Sequence, residues 1–191
     1  MSLTATPTGA EPMGTLSSSG SFSGKVRHIP IASGVTPAIF YGDFVKLVAG
    51  GGVELDAGTS SMTPVGVFVG CSYTDPNSSQ LVMAQYWPTG TVASDAVAYV
   101  ADDPNLLMQM QGNAAIEAAD RGQNASVVQT AGSTSIGRSR NAVNSVTATT
   151  AAMPLRVIDF VDGPSSTAGD AFTDIVVAFN AGHVYSNTTG I

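Results

Sequence analysis

Ile39-Phe40-Tyr41-Gly42-Asp43-Phe44-Val45-Lys46-Leu47-Val48, then glycines at 50, 51 and 52, then Val53-Glu54-Leu55: this stretch decides the fold. After a polar spacer it resumes as Pro64-Val65-Gly66-Val67-Phe68-Val69-Gly70. Phe44, Lys46 and Val48 alternate with Val45 and Leu47, the period-2 pattern of a strand with two unlike faces. The glycine triplet supplies the positive φ that a tight reversal needs, so a hairpin is expected. Val65, Val67 and Val69 are expected on one face of a third strand, with Gly66, Phe68 and Gly70 on the other. A glycine inside a strand marks a bulge or a close backbone approach. The reading is the nucleus of a β-barrel or β-sandwich.

Composition agrees with a packed chain. The 191 residues are 43 % hydrophobic, which argues against wholesale disorder. Only 11 % are charged, against ~25 % in an ordinary soluble domain. Such a weakly charged surface suits a protein packed against others. The net charge of −7 and pI of about 4.4 disfavour a general nucleic-acid binder. The charge is unevenly placed: residues 1–42 hold Glu11, Lys25 and Arg27, and the remaining 13 acids and 5 bases follow. A weakly basic segment ahead of an acidic body hints at docking. The single cysteine, Cys71, precludes an internal disulfide and reads as a small buried hydrophobe. With neither a signal-peptide pattern nor a membrane-length apolar run, cytoplasmic synthesis is expected.

Residues 1–24 are mostly Thr, Ser, Gly and Pro, with Leu3, Met13, Leu16 and Phe22 as apolar anchors. Lys25-Val26-Arg27-His28-Ile29-Pro30-Ile31 follows, with Pro30 suited to an edge strand. Residues 1–36 are expected as an extended arm, its first 30 residues able to reach on the order of 100 Å. Residues 37–191 are expected as the β-rich body, either one unit or two subdomains at 37–101 and 102–191. Leu81–Trp87, Ala96–Val100, Leu107–Gln111, Leu155–Val161 and Asp174–Asn180 read as further strands separated by turn signals. Ala114–Ala119 reads as a short helical turn, and Gly132–Thr150 as a long surface excursion whose basic spot is Gly137-Arg138-Ser139-Arg140. The fold class expected is all-β.

No catalytic group emerges. Asp102 and Asp103 precede Pro104-Asn105 and read as turn residues. Gly20-Ser21-Phe22-Ser23-Gly24-Lys25 is one residue short of a P-loop, and Val26 stands where Ser or Thr would hold Mg²⁺. His28 and His183 are too few for a histidine-based metal site. Asn77, Asn124 and Asn187 head glycosylation patterns that stay idle without secretion. Tyr73, Tyr86, Trp87 and Tyr99 would suit a sugar platform, although packing is the commoner fate of such rings. No cofactor and no metal are expected.

Gly66–Pro76, Tyr86-Trp87-Pro88-Thr89-Gly90 and Ala98–Pro104 resemble a family of small virion proteins of tailed bacteriophages, including marine and cyanobacterial phages. Gly14-Thr15-Leu16-Ser17, Gly24–Gly34, Pro154–Ile158, Phe179-Asn180 and His183 are similar as well. The resemblance covers most of residues 14–185 and is weakest across 112–150. It implies a structural role, capsid decoration or cement, in which homodimers or homotrimers clamp the major capsid protein from outside. Neither nucleic acid nor membrane is an expected partner. On that reading Met13, Leu16, Phe22, Lys25, Arg27, His28 and Ile29 form a capsid-binding arm. Tyr86, Trp87, Arg138 and Arg140 make subunit contacts. The alternatives are a tail, fibre or neck protein, or a carbohydrate-binding β-sandwich.

Overall fold

The computed structural model describes residues 4–16, 22 and 24–186. The Asn187 pattern and parts of the P-loop-like stretch lie outside them. The chain enters as β1 (Glu11–Thr15) and β2 (Arg27–Pro30). The central stretch supplies β3 (Ile39–Phe40), β4 (Phe44–Leu47), β5 (Val53–Leu55) and β6 (Pro64–Thr74). β7 (Leu81–Ala84), β8 (Tyr86–Trp87), β9 (Val97–Ala101) and β10 (Leu106–Gln111) follow. A 3₁₀ turn at Ala118–Asp120 precedes β11 (Asn124–Ala125), β12 (Val127–Val128), β13 (Ala142–Val143), β14 (Leu155–Phe160) and β15 (Asp174–Phe179). Among the described residues there is no α-helix, so the protein is all-β.

Two antiparallel sheets carry the architecture. One runs β1-β10-β15-β14-β11, the other β2-β9-β6-β4-β5 with β7 also paired to β6. The small pairs β3-β8 and β12-β13 complete it. The expected hairpin joins β4 to β5: Val48 N donates to Gly52 O at 3.0 Å, and Gly51 takes φ +75°. Pro30 sits on β2, an edge strand, where its missing N–H costs no ladder bond.

β6 is the shared wall. Successive residues of a strand point to opposite faces, and here the two faces meet different cores. Phe44, Val67 and Ala101 join Leu106, Met108, Met110, Leu155, Val157, Ile175 and Val177 in the first core, between the sheets. Their neighbours Val45, Phe68 and Val100 join Ile29, Ile31, Ile39, Cys71, Tyr73 and Trp87 in a second core on the far face. A strand buried on both faces needs a nearly continuous apolar run, which is the composition of Pro64–Cys71. Gly66 is required by proximity, because a Cβ there would sit 2.2 Å from the Ala101 carbonyl oxygen.

Several expectations are corrected. Val65, Val67 and Val69 do not share a face: Val65 lies in the second core, while Val67 and Val69 face the first. Register shifts against β4 (Val45/Lys46) and against β9 (Phe68/Gly70) leave Val65 and Val69 as the extra residues of two bulges. The expected strand Leu81–Trp87 breaks at Gln85, with β7 pairing β6 and β8 pairing β3. Within the Gly132–Thr150 excursion, Ala142-Val143 form buried β13, and the Asn141 side chain accepts from Thr130 N at 2.9 Å. Within the expected arm, the described strands are tied to the body: β1 pairs β10 and β2 pairs β9. A boundary near residue 101 does separate strands of different sheets, yet both sheets build the first core.

Candidate functional site

The residues expected to reach a partner divide sharply. Ile29 is buried in the second core and Phe22 packs half-buried against the first, its N–H donating to Met13 O at 2.9 Å. Arg27 is ion-paired with Asp102 and lies over the Tyr185 ring, 5.2 Å from its centroid. His28 packs on Tyr99, ring centroids 4.7 Å apart. These four serve the body itself. Met13, Leu16 and Lys25 remain outward, Met13 at 43 % and Leu16 at 51 % exposure. The β1–β10 register explains the first: Pro12 faces Met108 and Gly14 faces Leu107, so Met13 is the extra residue of a bulge. Bulges re-aim side chains in this way.

Of the expected subunit contacts, one is corrected. Trp87 is fully buried, its Nε1 donating to Val35 O at 3.3 Å and its ring edge-on to Tyr73. Tyr86 stacks on Phe40 with centroids 5.5 Å apart. These rings pack inward, so they make no open sugar platform. Arg138 is ion-paired with Glu11 and lies 5.1 Å from the centroid of Tyr41, which clasps β1 to the loop before β13. Arg140 is exposed. Asp103 behaves as a turn residue, accepting from Asn105 N at 2.8 Å.

A cavity of about 460 Å³ opens beside the second core, lined by Pro37, Phe40, Leu55, Gln129, Gly132 and Asn141 among others, with Asp43 at its wall. Burial pushes the Asp43 carboxyl up to about 6 despite donors from Ser139 and Phe40 N. Its Oδ1 accepts from Asn141 Nδ2 at 3.1 Å and its Oδ2 from Phe40 N at 2.8 Å. Both oxygens are thus occupied from within, and the carboxylate acts as a latch between the β3–β4 corner and the loop before β13. The sequence carried no sign of this group, since a lone Asp after Gly reads as turn.

Cys71 is buried, its thiol pushed up to about 12 by desolvation and its Sγ 3.5 Å from the Tyr86 carbonyl, an inert position. His183 is buried against Phe179 and Tyr185, and burial lowers its pKa. Among the described residues, no three His, Cys, Asp or Glu side chains are grouped to hold a metal ion. No described helix is long and apolar enough to cross a membrane.

The fold is therefore an all-β, sandwich-like arrangement whose exposed large apolar side chains, among the described residues, lie on strand edges and loops: Met13, Leu16, Leu81, Met83, Val92, Ile136, Val146 and Tyr185. No family model, curated protein or solved structure matches the chain.

Proposed function

We propose that this protein is a phage capsid decoration, or cement, protein that docks on the exterior of the major capsid shell and stabilises it. The observation that carries the reading is the N-terminal edge of the first sheet. There a bulge turns Met13 outward beside exposed Leu16 on an otherwise weakly charged surface. Apolar side chains held on a rigid strand edge lose little entropy on docking. Lys25, exposed nearby in sequence, meets acidic shell groups. Arg138 holds this edge in place through Glu11. The resemblance to virion proteins points the same way. Each contact is weak, and repetition over a symmetric shell makes binding tight.

The test mixes the purified protein with bare expanded capsids and follows sedimentation and electron microscopy. Ordered decoration that raises the capsid disruption temperature is expected. The double variant Met13→Asp/Leu16→Asp should lose decoration while keeping its circular dichroism. Removing residues 1–24 is the poorer test, because it strips β1 from β10 and unmasks the first core. Wild-type protein that ignores heads and sediments with tails would move it to the tail, fibre or neck class.

A further inference from the structure

The second sheet has its own unprotected edge, at β7. Leu81 and Met83 are 70 % and 73 % exposed, whereas Val82 and Ala84 turn inward onto the second core. The backbone has the same polarity. Asp75 N donates to Gln80 O, and the β6–β7 register is continuous, Thr74 facing Leu81 through Cys71 facing Ala84. Antiparallel pairs alternate between bonded and non-bonded. Residues 80, 82 and 84 therefore bond toward β6, and the N–H and C=O of Leu81 and Met83 point away from it. Among the described residues no backbone partner meets them.

Edge strands are ordinarily blunted by charge, proline or a bulge. β7 has none of these. Pro76 through Ser94 contain no charged residue, in a chain of net charge −7. Two copies of such an acidic chain meet with little charge repulsion across a neutral patch of this kind.

We infer that β7 is the two-fold interface of a homodimer, with Leu81 of one copy pairing antiparallel to Met83 of the other and Val82 facing Val82 on the axis. This register is self-complementary, as an isologous contact must be. The outward N–H and C=O of Leu81 meet those of the second copy's Met83, and the reciprocal pair does the same. All outward groups of both strands are thereby satisfied. Leu81 and Met83 of the two copies come together as one apolar patch on the outer face, and Val82 joins its mate on the inner face. The second sheet becomes continuous across the dimer. Subunit contact thus moves from Tyr86 and Trp87, which are spent inside, to the strand just before them. The inference does not depend on capsid binding, although a dimer would present two N-terminal edges to a shell.

Sedimentation equilibrium of the full chain should give twice the monomer mass of 19.3 kDa. Leu81→Lys/Met83→Lys should shift it to monomer with unchanged circular dichroism, since both side chains are already in solvent. Val82→Cys, on the axis, should form a disulfide-linked dimer under mild oxidation, and buried Cys71 will not compete. Val92→Cys, exposed but off the edge, should not. A wild-type monomer at all concentrations overturns the inference. So does a trimer, or a dimer that survives both lysines or cross-links equally well through Val92→Cys.

Discussion

The two cores of this protein share a wall and differ in how they are closed. The first lies between two sheets, and almost every side chain in it comes from a strand: Met108 and Met110 from β10, Val157 from β14, Ile175 and Val177 from β15. The second has a sheet on one side and an irregular cover on the other, assembled from β3, β8 and the loops that carry Val35, Ala93 and Ala96. Where both walls are strands, the strand period delivers most of the side chains. Where one wall is loop, a few specific anchors must fix it. Trp87 bonded to Val35, Tyr86 stacked on Phe40 and the buried Asp43 latch are those anchors.

The sharpest way to break the contrast is Trp87→Ala. Losing a fully buried indole costs about 4 kcal/mol. For a chain of this size that lowers Tm by roughly 8–16 °C. Hydrogen exchange should quicken at residues 39–40 and 86–96 while the amides of β10 and β15 keep their protection. Uniform loss of protection in both cores would show that the cover is not a separate cooperative unit.

Next in size is the Asp43 latch, read through pH. Its carboxyl is raised to about 6 by burial, whereas in the unfolded chain it ionises near 3.9. Between these values the folded protein holds a proton that the unfolded chain has released. Its contribution is therefore present at low pH and lost as pH rises from about 4 through 6, on the order of 3 kcal/mol in all. Urea unfolding of wild type and Asp43→Asn between pH 4 and 7 should show this downward slope only in wild type. Parallel slopes would remove the latch from the account.

Smallest is the Arg27–Asp102 pair, which ties β2 to the β9–β10 turn with the guanidinium mostly in solvent. Arg27→Ala should cost about 1 kcal/mol or less, the usual size of an exposed ion pair. The loss should shrink further in high salt, as monitored by thermal unfolding. A loss of several kcal/mol would mean that this edge, too, depends on one anchor.

The same contrast governs how much of the molecule could be read in its sequence. Phe44–Leu55 and Leu155–Phe160 were legible because a regular strand writes its period into the chain. The bulges in β6 were not, because an extra residue shifts the phase without changing composition: Val65 and Val67 look alike and face opposite ways. Trp87 could be located in a strand but not assigned to a core, since an anchor under a loop is defined by residues far away in sequence. β13 was missed because Asn141 and Ser139 hold its approach with side-chain bonds rather than with an apolar pattern. Of the residues singled out in the sequence for a binding arm, Met13, Leu16 and Lys25 are exposed, and what separates them from Arg27 and Ile29 is tertiary pairing. Such pairing leaves no local mark.

The shared wall also sets an order of events during synthesis. Every buried member of the second core lies between Ile29 and Val100, so that half can close once β9 has left the ribosome. The first core spans Ala10 to Val177. Glu11 and Thr15 pair with Gln109 and Leu106, so β1 must wait for nearly a hundred successors. At about 5–20 residues per second that wait lasts on the order of 5–20 s. Through it Pro64–Gly70 stands with one face covered and the other bare. The N-terminal segment, polar and poor in apolar residues, is suited to such a delay because it offers little for a half-finished neighbour to stick to.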